Sequence, residues 1–130
     1  MTSIFSKIIS GEIHCYKVAE SEYCLAFLDI NPLTKGHLLV IPKIEIDYIF
    51  DLENERYTEL HLFAKTVAIA MKKAITCNRI GMTVVGTEVP HAHIHLMPIN
   101  EANDMNFSNN KITFSKDEFL EIANSIASFL

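Results

Sequence analysis

The sequence predicts an α+β fold: a mainly antiparallel sheet of about five strands, one long central helix, and short helices near both ends. Three observations carry this reading. Apolar residues recur every three or four positions from about Asn54 to Ile75, through Tyr57, Leu60, Ala64, Val67, Met71 and Ala74, with no Gly or Pro between them. Short extended runs broken by turn residues flank that stretch on both sides. Ser115-Lys116-Asp117-Glu118 has the form of a capping box, in which Ser115 accepts from the Glu118 amide while the Glu118 side chain reaches back.

Taken in order, Ile4, Phe5, Ile8 and Ile9 lie at helical spacing, so a short amphipathic helix opens the chain and ends at Gly11. Two extended runs follow, Tyr16 to Glu20 and Glu22 to Leu28, and the short gap at Ser21 suggests a hairpin. Asn31-Pro32 and Lys35-Gly36 bracket a turn. Residues His37 to Pro42 then read as a strand, with Leu38 and Val40 on one face and His37, Leu39 and Ile41 on the other. The polar flank of the long helix, with Glu59, Lys65 and Lys72, should be wet, and His61 there is a surface or half-buried residue without a catalytic part. Arg79 to Val85 is a further strand, and Gly86-Thr87 turns it into the next. The segment from Ile99 to Phe114, rich in Asn, Asp and Ser, is expected to be irregular. A closing helix over about residues 116–130 places Phe119, Ile122, Ala123, Ile126 and Leu130 on one stripe. With no repeat, linker or low-complexity tract, the chain reads as one domain over residues 1–130.

Composition excludes some functions. A net charge of -5 without any Lys/Arg cluster argues against a nucleic-acid partner, whose backbone needs a basic patch. Cys15, Cys24 and Cys77 are scattered with no CxxC pair, so neither a disulfide framework nor a cysteine-rich zinc site is indicated. A reducing, cytoplasmic setting fits, and the apolar runs are too short for a membrane span.

The stretch with most chemistry is Glu88-Val89-Pro90-His91-Ala92-His93-Ile94-His95-Leu96-Met97-Pro98, which holds half of the six histidines at alternate positions. In a strand that spacing lines His91, His93 and His95 along one face and Ala92, Ile94 and Leu96 along the other. A half-buried strand is predicted, its imidazoles facing a cleft and joined by His37 from the neighbouring strand. Imidazole can serve near neutral pH as nucleophile, base, acid or donor to an anion. A merely solvated polar face and a three-histidine metal site are the competing readings.

His91-Ala92-His93-Ile94-His95-Leu96-Met97 resembles the His-x-His-x-His-x-x motif of the histidine triad (HIT) family of nucleotide hydrolases and transferases. Ser3-Ile4-Phe5-Ser6-Lys7-Ile8-Ile9-Ser10-Gly11-Glu12-Ile13 is similar to that family's opening helix. Leu25-Ala26-Phe27-Leu28-Asp29-Ile30-Asn31-Pro32, running on to Gly36-His37-Leu38-Leu39-Val40-Ile41-Pro42-Lys43, resembles its nucleotide-binding strands. The motifs lie in the family's order over residues 3–98. The resemblance implies a single HIT-like domain in which His93 is the nucleophile on the α-phosphate of a nucleotide. It further implies that His95 donates to a phosphate oxygen, that His91 orients the row, and that His37 closes the chain of rings. It places Phe5, Ile8, Phe27, Ile30 and Leu39 around the base, Asp29 on the ribose hydroxyls, and the turn at Gly86, Thr87 and Glu88 beside the phosphate. No cofactor or metal is implied; the partners are a small purine nucleotide and a second copy of the chain, with neither nucleic acid nor membrane.

The chain also departs from the family pattern. Thr87 stands where many members have Gln, the preceding glycine loop is shortened to Val84-Val85-Gly86, and Ile99 stands where Arg often follows the Pro. Ser3 and Ser6 replace a CxxC pair of zinc-containing relatives, and Glu45 stands where these often have a further histidine, which weakens the metal reading. One short triad-bearing domain favours the branch that hydrolyses purine nucleoside phosphoramidates, ahead of a dinucleoside polyphosphate hydrolase or a non-catalytic nucleotide-binding or sensing module.

Overall fold

Lys17–Glu20 (β1) and Cys24–Leu28 (β2) form the expected antiparallel hairpin in a computed structural model that describes residues 2–130. Leu38–Pro42 (β3) pairs with β2, Ile94–Ile99 (β5) pairs with β3, and Arg79–Thr83 (β4) closes the sheet against β5. The sheet order is β1-β2-β3-β5-β4, antiparallel throughout. Three helices complete an α+β domain: Ile4–Ile9 (α1), Asn54–Ala74 (α2) and Lys116–Ala127 (α3).

The helices explain why the central strands are buried from end to end. Cys24, Ala26, Leu28, Leu38 and Val40 face the main core, where they meet Leu60, Ala64, Val67 and Met71 of α2 and Phe119, Ile122 and Ile126 of α3. Alternate residues Leu25, Phe27, Leu39 and Ile41 face the other way and pack against Phe5 of α1. Period-two alternation thus feeds two cores. Each fully buried Leu, Ile or Phe contributes about 1.5–3 kcal/mol by leaving water, so α2 and α1 clamp the same strands from opposite sides. Ser115 caps α3 as the sequence predicts: its hydroxyl accepts from the Glu118 amide at 3.2 Å, and Glu118 Oε1 accepts from the Ser115 amide at 2.8 Å.

Two expectations need correction. The closing helix stops at Ala127, and Leu130 lies beyond it, 54% exposed and outside the stripe, because the last residues tighten into a turn in which the Leu130 amide donates to Ala127 O at 3.1 Å. The histidine strand begins only at Ile94, since β3 pairs with it no further back than Val40↔Ile94. Upstream of that point the backbone is held differently: the Ala92 amide donates to Ile46 O at 2.7 Å and the His91 amide to Val89 O at 2.8 Å. His91 and His93 therefore sit in an irregular lead-in, and all three triad histidines are buried. Ala92, Ile94 and Leu96 nonetheless enter the main core, so the alternation of faces outlasts the strand itself.

Candidate active site

A cavity of about 360 Å³ opens between α1, the ends of β2 and β3, the loop after β4, and the histidine segment. All eight residues predicted to bind substrate line it: Phe5, Ile8, Phe27, Asp29, Ile30, Leu39, Thr87 and Glu88. Of the four predicted catalytic histidines, His93 and His95 line it, while His91 and His37 stand behind them. Phe5 packs edge-on against Phe27 at 5.6 Å and against His93 at 5.0 Å between ring centroids, so the opening helix supplies an apolar wall directly beside the His93 ring.

Each imidazole has a proton position that its partners determine. A backbone N–H can only donate and a carbonyl can only accept, so these contacts assign the tautomers. His93 Nδ1 lies 2.8 Å from His91 O, which puts the proton on Nδ1 and leaves the Nε2 lone pair free. His37 Nδ1 accepts from the Leu33 amide at 3.0 Å, so neutral His37 carries its proton on Nε2 and donates it to His95 Nδ1 at 2.9 Å. His95, its Nδ1 occupied as acceptor, then carries its proton on Nε2, which has no hydrogen-bond partner among the described residues. His91 Nε2 donates to Pro42 O and its Nδ1 accepts from Ser3 Oγ, both at 2.8 Å. A free nucleophilic nitrogen and a free N–H donor thus stand on adjacent rings whose centroids are 5.0 Å apart.

Burial sets the charge of this cluster. It lowers the pKa of His95 to about 3, helped by the neighbouring His37 and His93, and that of His37 to about 4, where Asp29 pulls the other way. Burial likewise lowers His91, against the opposing pull of the Pro42 carbonyl and Glu45. The resting site therefore presents neutral donors at neutral pH. Positive charge on His95 needs an anion beside it, since an opposite charge within a few ångströms favours the protonated form.

Asp29 follows β2, and its Oδ1 accepts from the Asn31 amide at 2.8 Å while its Oδ2 lies 3.6 Å from His37 Nε2. At the opposite rim, Gly86 takes φ +75°, a left-handed turn that suits glycine. Among the described residues the amides of Gly86, Thr87 and Glu88 donate to no backbone acceptor, and all three residues border the cavity.

Neither candidate metal cluster fits a zinc ion. Asp29, His37 and His95 converge, but the two ring nitrogens stand at hydrogen-bond separation and share a proton. At the position where zinc-containing relatives carry cysteines, Ser3 and Ser6 offer hydroxyls, which lie outside zinc's usual ligand set. Their hydroxyls are committed to His91 and Glu45, and Glu45 already accepts from Ser6 Oγ at 2.7 Å.

Sequence reasoning missed several wall residues. Phe107 stands with its ring 5.0 Å from His95 and 6.5 Å from His37, and it borders the cavity. Its segment has no periodicity to read; the chain is brought there by the Ile112 amide, which donates to Pro32 O at 2.8 Å. Cys15, Val85 and Val89 also border the cavity and gave no separate signal in the sequence.

Comparison with known proteins gives a consistent picture. A family model described as the HIT domain matches residues 10–102. The chain is 33% identical over 132 residues to an uncharacterised HIT-like protein of Borreliella burgdorferi, with 95% of each chain covered. It is 40% identical over 96 residues to an adenosine 5'-monophosphoramidase of Saccharomyces cerevisiae, covering 73% of this chain and 61% of that one. The crystal structure of a Hit-like protein from Bartonella henselae, described as involved in cell-cycle regulation, matches with a TM-score of 0.87 at 30% identity, over 99% of this chain and 96% of the other.

Proposed function

The chain belongs to the HIT family, and from that premise we propose that it hydrolyses purine nucleoside 5'-phosphoramidates or related AMP conjugates through a nucleotidyl-histidine intermediate. One observation carries the reading: His93 holds an unprotonated Nε2 beside the free N–H of His95, at the side of a cavity walled by Phe5, Phe27 and Leu39. The adenosine phosphoramidase activity named for the yeast relative supports the same chemistry.

The reaction follows from the proton positions. His93 Nε2 attacks the α-phosphorus, forming a P–N bond as the P–N bond to the leaving amine breaks; the amine departs with that electron pair and takes up a proton from solvent water, which the hydrolytic water later returns. Positive charge developing on the His93 ring is stabilised by its Nδ1–H bond to the His91 carbonyl. His95 donates to a nonbridging oxygen, with its ring held by His37, and the entering phosphate raises its proton affinity. Gly86, Thr87 and Glu88 offer backbone N–H groups to the remaining oxygens. Water then cleaves the P–N bond to His93 and releases the 5'-monophosphate. Asp29 takes the ribose hydroxyls, and Phe5, Ile8, Phe27, Ile30 and Leu39 enclose the base. The working unit is a homodimer and requires no cofactor.

A panel of adenosine and guanosine phosphoramidates, dinucleoside polyphosphates and sugar nucleotides, assayed with and without chelator, tests the proposal. A burst of covalent adenylylation followed by chelator-insensitive turnover of phosphoramidates is expected. Replacing His93 by Ala should leave AMP binding intact and lower turnover on the order of a thousandfold or more. Comparable activity in that variant removes His93 as nucleophile, tight binding without a burst points to a nucleotide-sensing module, and preference for dinucleoside polyphosphates reassigns the substrate.

A further inference from the structure

Behind the site lies a second group of polar side chains that the reaction does not touch. Glu45 Oε1 accepts from the Ser3 amide and from Ser6 Oγ. Ser3 Oγ accepts from the Ser6 amide at 3.0 Å, capping α1, and gives its own proton to His91 Nδ1. His91 in turn donates from Nε2 to Pro42 O, at the end of β3. Ser3 is 6% exposed and His91 fully buried, so the bonds from Ser3 through His91 to Pro42 run through the interior, while the Glu45 carboxylate anchors the chain from the surface.

We propose that Ser3 and Glu45 are positioning residues for the reaction: Ser3, itself tied to Glu45, holds the His91 ring at Nδ1 while the Pro42 carbonyl holds Nε2, and the braced residue presents the carbonyl that fixes the tautomer and orientation of His93. The inference rests on His93 being the nucleophile, as proposed above. Three features carry it. The carbonyl that accepts from His93 belongs to the same residue whose ring Ser3 holds. His91 lies outside the strand ladder, because β5 starts three residues later, so its ring contacts add to the few bonds, His91 amide to Val89 O and Ala92 amide to Ile46 O, that hold this segment. The helix that carries Ser3 is only six residues long, too short to be stable alone, and Glu45 ties its first turn to the loop after β3. That same helix presses Phe5 against both His91 and His93, with centroids at 5.8 and 5.0 Å. The bonds from Ser3 and Ser6 hold Glu45 at a pKa of about 2, so the brace stays charged across the working range.

Ser3→Ala, Ser3→Thr and Glu45→Gln test the assignment through kcat and KM on an adenosine phosphoramidate and through ¹⁵N ring spectra of the histidines in the free protein. Ser3→Ala should lower kcat about tenfold with KM within about twofold, the pattern of a misaligned nucleophile. It should also turn His93 from a single Nδ1–H tautomer into an exchanging mixture. Ser3→Thr, which keeps the hydroxyl, should restore most of both, and Glu45→Gln should fall between. Wild-type kcat and an unaltered His93 spectrum in Ser3→Ala overturn the proposal, as does a loss confined to KM. Should Ser3→Ala fail to fold, the same two readouts on Glu45→Gln decide it. If the wild-type protein turns over no nucleotide, the hydrolase reading alone fails, and the ring spectra still decide whether Ser3 fixes His93.

Discussion

His95 and His37 titrate far below an ordinary histidine, at about 3 and about 4, because burial penalises their charged forms. In the unfolded chain both take up protons near pH 6.5, so between that value and about 4 the unfolded state binds more protons than the folded one. Their contribution to stability is therefore intact above about pH 6.5 and is lost as pH falls toward 4. The depressed carboxylates Glu20 and Glu45 act lower, being lost only as pH drops from about 4.5 toward 2. The window from pH 6.5 to 5 consequently belongs to the histidines. Urea midpoints should fall across it in the wild-type protein and fall less steeply in His95→Gln; equal slopes would show that the pair is not held neutral by burial. The sequence made His91, His93 and His95 legible as a group through their alternation, and His37 through its place at the head of a second strand. Which nitrogen carries which proton was not legible, because the partners, the Leu33 amide and the Pro42 and His91 carbonyls, are set by the tertiary path of the backbone.

Among the elements, the turn before β3 shows how tightly the framework delivers the His37 ring to His95. Gly36 takes φ +90°, and a Cβ there would collide with Ile75 Cδ1 at the end of α2. The next residue is His37, whose amide donates to Thr34 O and whose carbonyl accepts from the Asp29 amide, both at 3.0 Å. Gly36→Ala therefore combines left-handed strain with a packing clash, and it should destabilise the protein by about 1–3 kcal/mol. Gly86 has a similar φ of +75° with open space around it, so Gly86→Ala incurs only the backbone part. Urea unfolding of the two variants compares them directly, and equal losses would mean that the contact with Ile75 relaxes freely. The long helix and the capped closing helix were readable because a 3.6-residue period and a Ser-x-x-Glu box act within a few residues of themselves. The start of β5 was not readable: alternation continues through His91 to His95, but a ladder needs a partner, and β3 stops pairing at Val40. Phe107 escaped for a related reason, since a segment without periodicity is placed wholly by what it docks against.

For the whole molecule, the two edges of the sheet differ. β1 carries Lys17 and Glu20, which pair at 2.9 Å, and Lys43 reaches the same carboxylate at 2.7 Å, so that edge is guarded by charge. The opposite edge, β4, leaves Met82 57% exposed and runs on into Val85 at 50%, with no charged residue after Arg79 until Glu88. Leu62 and Ile69 of α2 are likewise uncovered, at 60% and 50%. An apolar edge strand invites pairing, and the proposed homodimer would cover it. Light scattering should then give about twice the chain mass of 14.7 kDa. Met82→Glu and Ile69→Glu, each on a surface where a monomer tolerates charge, should return the mass to that of one chain without loss of helix signal by circular dichroism. The edge also connects to chemistry, because Val85 and Gly86, directly downstream of β4, form part of the cavity wall. Monomerised variants should therefore show a severalfold higher KM for an adenosine phosphoramidate, while single-turnover adenylylation of His93 at saturation is retained. A wild-type chain that runs as a monomer at assay concentrations, or variants that lose dimerisation with KM unchanged, would separate the edge from the site and leave the cavity as a complete unit within one chain.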